Sequence, residues 1–161
     1  MRRCNDRPYL VSYLDDSSRF SRTRVAADAL TATRTRVEFG SWLQRHFTLS
    51  AERFSDLLLA VNEALANAAE FAYADAPRGG TMDVNAAYDF DSDTLAVTVS
   101  DHGRWRVPEL PTVGTSPYSI RGRGIPLMRA LADEATIDAT PHGTQVTLTW
   151  IHLMQSSRST A

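Results

Sequence analysis

Apolar positions recur at helical spacing through residues 54–73. At about 100° per residue, Phe54, Leu58, Val61, Leu65, Ala68 and Ala72 fall on one side of a helix and Asp56, Glu63, Asn67 and Glu70 on the other. The stretch has no Pro or Gly, is dense in Ala and Leu, and follows Ser50, a cap-forming residue, so a long helix is predicted. Upstream, residues 24–29 suit a short edge strand. Residues 31–46 then read as a first helix interrupted at Gly40, with Val37, Leu43 and Phe47 as its apolar positions.

Beyond the long helix, Ala76, Pro77, Arg78, Gly79 and Gly80 break the pattern and the period changes to two. Met82, Val84, Ala86 and Tyr88 alternate with more polar neighbours, as do Leu95, Val97 and Val99; residues 89–93 form the turn of an antiparallel hairpin. Residues 104–121, carrying Pro108, Pro111, Gly114, Ser116 and Pro117, are too long for a plain connection and read as a lid or binding loop. Gly122, Arg123 and Gly124 open a further helix with Ile125, Leu127, Met128 and Leu131 on its buried side. A strand at 135–139, a turn at Pro141, His142 and Gly143, and a strand at 144–151 close the chain, the last with Val146, Leu148 and Trp150 facing one way. The predicted class is α+β: a two-layer sandwich with a mostly antiparallel sheet covered by helices on one face. The expected division is an N-terminal arm or tail at 1–22, one domain at 23–152 and a polar tail at 153–161.

Composition narrows the function classes. The 161 residues are 43% hydrophobic and 22% charged, enough for one domain with a sizeable core. A net charge of -2 and a pI near 6.1 provide no global cationic field for nucleic acid or anionic lipid, so an anionic ligand must be held locally. The single cysteine, Cys4, forms no intramolecular disulfide, and no apolar run reaches the roughly 20 residues that span a bilayer; a soluble cytoplasmic protein is expected. His46, His102, His142 and His152 are scattered and read as structural or exposed.

Four features then follow in order. Glu63 and Asn67 stand one helical turn apart, Asp101 and Gly103 end a strand, Gly122 and Gly124 open a helix, and Gly143 with Thr144 enters the last strand. A nucleotide needs these chemistries: a carboxylate to accept from an exocyclic amine, close backbone approach to the base, free N–H groups for phosphate, and a neutral oxygen ligand for Mg2+. A solvated helix face is the plain alternative for Glu63 and Asn67. No GxxxxGK[ST] segment is present, which excludes a Walker-type loop, and no GxGxxG follows a strand.

The succession NEALANA, VSDHGRW, GRGIPLMRALAD and PHGTQVTL resembles the ATP-binding domain shared by gyrase, heat-shock chaperone 90, histidine kinases and MutL. Within it the chain is most similar to the anti-sigma-factor serine/threonine kinases, over residues 24–151. The resemblance implies a Bergerat-type fold, ATP and Mg2+. It implies Asn67 as the ligand of phosphate-bridging Mg2+, Glu63 as general base, Asp101 as acceptor from the adenine amine with Gly103 beside the base, and Thr144 in support. Gly122 and Gly124 match the glycines where lid meets helix. Ile125 adjoins them in the nucleotide-binding set, and Arg121 and Arg123 are either cations for the terminal phosphate or solvated lid residues. The implied partners are a sigma factor and, as phosphorylation substrate, an anti-anti-sigma factor of STAS type, with a role in transcription regulation. Relatives are commonly homodimers, so the resemblance also implies a homodimer. Three departures stand out: Trp105 replaces the second glycine after Asp101, Phe71 stands where a histidine is often found, and Glu70 where histidine kinases commonly have a base. A nucleotide-gated binding module with little or no catalysis fits the same residues. A gyrase- or chaperone-like ATPase fragment fits less well, because those enzymes need further domains.

Overall fold

The computed structural model describes residues 15–73, 76, 78–104 and 124–155. The described chain runs β1 (Arg19–Ala26), α1 (Ala29–His46), α2 (Ala51–Phe71), β2 (Thr81–Asp89), β3 (Thr94–Asp101), α3 (Gly124–Leu131), β4 (Glu134–Thr140) and β5 (Gly143–Trp150). The strands form one sheet in the order β1-β2-β3-β5-β4, every neighbouring pair antiparallel. Along β2 and β5 alternate residues are buried, so Met82, Val84, Ala86, Val146, Leu148 and Trp150 face the helices while Asn85, Ala87 and Gln145 do not. This is the predicted α+β sandwich with helices on one face. Among the described residues no helix is long and apolar enough to cross a membrane.

The helices begin where their caps dictate. Asp28 accepts from Thr31 N at 2.7 Å to start α1, and the Ser50 hydroxyl accepts from Arg53 N at 3.1 Å to start α2 three residues ahead of the apolar pattern. Gly40 does not interrupt α1, which runs on to His46. A Cβ at Gly40 would sit 3.3 Å from Leu58 Cδ1, so its small size serves the close approach of α2, and packing there outweighs its poor propensity. Val37, expected with the apolar set, is 57% exposed.

Two further readings need correction. The first strand lies at 19–26 rather than 24–29. Its inward positions are Phe20 and Arg22, and the charged Arg22 disguised the alternation. Arg22 is buried because its guanidinium binds both oxygens of Asp15 at 2.8 and 2.9 Å and Glu38 at 2.6 Å, and lies over the Phe20 ring at 4.2 Å. On α2, the core side is built from Leu57, Ala60, Val61, Ala64, Leu65 and Ala68, while Phe54 and Leu58 lie at its margin and Asn67 is buried rather than solvated.

Candidate functional site

The last three turns of α2 gather the predicted residues. Asn67 is 5% exposed and Glu63, one turn earlier, is half-buried. The first residue of α3 packs onto them: a Cβ at Gly124 would lie 2.9 Å from Glu63 Oε2 and 3.2 Å from Asn67 Nδ2. A larger residue there would have to displace the Glu63 carboxylate, and Gly124 is the first residue of α3, a helix end whose leading N–H groups have no intrahelical partner.

At the C-terminal end of α2 the strand β3 delivers Asp101, which is 4% exposed. Its Oδ1 accepts from Gly103 N at 3.1 Å and from Thr144 N at 3.3 Å, and Asp101 and Thr144 are register partners in the β3–β5 ladder. These bonds hold the carboxylate at the strand end. Gly103 then crosses α2, with Arg104 N donating to Ala72 O at 2.8 Å. Gly143, at φ +151°, is the second close approach: a Cβ there would lie 2.1 Å from Asp101 O. From Glu63 to Ala72 is about 13 Å along the helix axis at 1.5 Å per residue, so α2 is the rail along which Glu63, Asn67 and the Asp101–Gly103 turn are arrayed.

Tyr73 was not foreseen. Its hydroxyl donates to Thr81 O at 2.6 Å and accepts from His102 N at 3.0 Å, tying the end of α2 to the start of β2 and to the Asp101 turn. An aromatic residue three positions before the break that begins at Ala76 was the available signal. His102 itself is exposed, with Nε2 3.6 Å from Asp83 Oδ2. The predicted Arg121, Gly122 and Arg123, the lid and Trp105 lie outside the described residues. Ile125 is partly buried against the core.

A metal-bound phosphate group suits this donor set. Asn67 Nδ2 is buried with no hydrogen-bond partner among the described residues, an arrangement that costs about 1–3 kcal/mol unless an acceptor arrives. The amide has a donor and an acceptor end, matching a phosphate oxygen and a cation respectively. Among the described residues no three His, Cys, Asp or Glu side chains converge to hold a metal. A divalent ion at Asn67 would thus take most of its ligands from phosphate and water, as Mg2+ commonly does.

Residues 25–150 match the family described as the histidine kinase-like ATPase domain. No curated protein matches the chain. Among solved structures, the RsbU and RsbW domains of Rv1364c from Mycobacterium tuberculosis superpose with a TM-score of 0.63 at 24% identity, over 82% of this chain and 32% of that one. The present chain therefore spans about a third of that protein's length, and the likeness is one of fold.

Proposed function

Since the chain belongs to the histidine kinase-like ATPase domain family, a family of ATP-binding domains, we propose that it is an anti-sigma-factor serine/threonine kinase. On this reading it uses MgATP to phosphorylate an anti-anti-sigma partner and otherwise sequesters a sigma factor. The observation that carries the reading is the packing of Gly124 onto Glu63 and Asn67, which puts a carboxylate, an unsatisfied amide and a helix N-terminus around one point. The likeness to a fold that includes an RsbW domain supports the narrower assignment.

In this mechanism Asp101, oriented by the bonds from Gly103 N and Thr144 N, accepts from the adenine amine, and Gly103 lets the base approach the backbone. Asn67 would hold the metal, which would supply positive charge to offset that of the phosphates. The N-terminal N–H groups of α3, from Gly124, bind phosphate oxygens. Glu63 accepts the proton of the partner's serine or threonine hydroxyl as that oxygen forms its bond to the γ-phosphorus and the bond to ADP breaks; positioning supplies most of the rate. Arg121 and Arg123 would add charge at the terminal phosphate. The domain doing this is residues 23–152, with a homodimer as its assembly and the cytoplasm as its place.

Incubation with γ-labelled ATP and STAS-type proteins tests the proposal, with stable phosphoserine or phosphothreonine on a partner as the expected result. Glu63→Gln should keep ATP affinity within about twofold and lower transfer by about 10²-fold or more, the usual scale for a lost general base. ATP binding without any transfer to partners would favour the nucleotide-gated binding module instead.

A further inference from the structure

The direction of the backbone groups along β2 shows what the Tyr73 hydroxyl does. Tyr88 N donates to Ser18 O and Ala27 N donates to Gly80 O, so the even-numbered residues at both ends of β2 turn their polar groups toward β1. The irregularity in that pairing lies in β1, between Arg22 and Val25, and β2 itself runs without a break. Its odd-numbered residues therefore turn toward β3, because hydrogen-bonded and non-bonded pairs alternate in an antiparallel ladder. The β2–β3 register ends at Met82 and Asp101, which makes Thr81 and His102 the next pair. A continued ladder would join His102 N to Thr81 O. The Tyr73 hydroxyl stands in the place of that bond, accepting from His102 N at 3.0 Å and donating to Thr81 O at 2.6 Å. A phenol can do both at one atom. The ring is partly buried against the core, and a Cβ on Gly80 would overlap it.

Past this point the chain leaves the sheet for α2. His102 N donates to Tyr73, Gly103 N to Asp101 Oδ1 at 3.1 Å and Arg104 N to Ala72 O at 2.8 Å, so Ala72 and Tyr73, adjacent at the end of α2, hold the amides on either side of Gly103. We infer that the Tyr73 hydroxyl is a wedge in the β2–β3 ladder, which diverts the strand end onto α2 and thereby aims the Asp101 carboxylate at the base of the nucleotide. Tyr73 is thus a positioning residue for base selection, an inference that rests on the reading of Asp101 as the adenine contact. Without the hydroxyl, His102 N and Thr81 O close on each other, the ladder gains a rung and Gly103 is drawn away from Ala72. Because Gly103 N is bonded to Asp101 Oδ1, the carboxylate turns with it. Asn67 lies about 9 Å back along α2 from Tyr73, at 1.5 Å per residue, so the phosphate end of the site keeps its geometry.

The test is calorimetric binding of ATP and of inosine triphosphate to the full chain, to Tyr73→Phe and to Asp101→Asn. Inosine carries an oxygen where adenine carries its exocyclic amine, so the ratio of the two affinities reports the contact at Asp101. In the unaltered chain ATP should bind about 10- to 100-fold more tightly, the scale of a hydrogen bond to a charged group. Tyr73→Phe keeps the ring and its packing and removes only the hydroxyl. It should lower the ratio about fivefold or more through weaker ATP binding, with inosine triphosphate held within about twofold, since misplacing the carboxylate forfeits much of that bond. Asp101→Asn should lower the ratio at least as far. An unchanged ratio in Tyr73→Phe beside a collapsed one in Asp101→Asn would overturn the wedge and leave the adenine contact standing. An unchanged ratio in Asp101→Asn would overturn the adenine contact and the wedge with it. Equal losses for both nucleotides in Tyr73→Phe, with a lowered Tm, would make the hydroxyl a support of the fold alone and overturn its role in base selection.

Discussion

Gly103 lies directly beneath the last turn of α2: a Cβ on it would come within 1.9 Å of Ala72 O. This approach seats the Asp101 turn against the helix that carries Glu63 and Asn67. Gly103→Ala must push the turn off the helix and break the Arg104 N to Ala72 O bond, since the obstacle is backbone and cannot rotate away. The expected outcome is a loss of about 1–3 kcal/mol of stability, read by denaturant unfolding, together with at least tenfold weaker ATP binding.

Asp101→Asn separates structure from recognition. An amide oxygen can still accept from Gly103 N and Thr144 N, so the fold should be retained, but the charge is lost and the other position becomes a donor facing a donor. A hydrogen bond to a charged group contributes about 1.5–3 kcal/mol, so ATP affinity by calorimetry should fall roughly 10- to 100-fold, with or without Mg2+. Unchanged affinity would remove Asp101 from the adenine site.

Arg22 is worth more than a surface ion pair. Its side chain is 7% exposed while Asp15 and Glu38 are 20% and 35% exposed, so Arg22→Ala strands two partly buried carboxylates and strips the face of Phe20. A destabilisation of about 2–4 kcal/mol is expected, below the upper range for fully buried pairs because the partners reach solvent. Because Asp15 loses its anchor, the same variant should also raise hydrogen exchange in the chain preceding β1.

Stability should fall at high pH through Tyr88. Burial first, then the hydrogen bond to Asp93 and its negative charge, push the phenol from 10.0 up to about 12. The protonated phenol is the form that the fold favours. The stabilisation is therefore complete below pH 10 and lost as pH rises from 10 through about 12. Tyr88→Phe should flatten that decline in thermal-unfolding curves taken between pH 9 and about 12. An equally steep decline in the variant would assign it to other groups.

Much of this molecule was legible one residue at a time. The β2–β3 hairpin and β5 follow from strict alternation, because a sheet buried on one face imposes a period of two on its sequence. The start of α2 at Ser50 and the glycines at 103 and 124 are equally local. Cap geometry and the absence of a side chain are written in single letters, so the order of the boxes proposed to form the nucleotide site could be read from the sequence alone.

Other features have no local signature. Arg22 in β1 and Asn67 on α2 are polar letters at buried positions, and each is explained only by groups distant in sequence: Asp15 and Glu38 around the first, Gly124 beside the second. Gly40 reads as a helix breaker until Leu58 is packed onto it, and Tyr73 gains its role only when Thr81 and His102 converge on its hydroxyl. The sequence by itself determined the elements and their period, since those depend on neighbours three or four residues away in a helix and two away in a strand. Which polar groups are desolvated, and which segments share one site along α2, was decided by the tertiary structure, because burial and electrostatic pairing belong to the assembled chain.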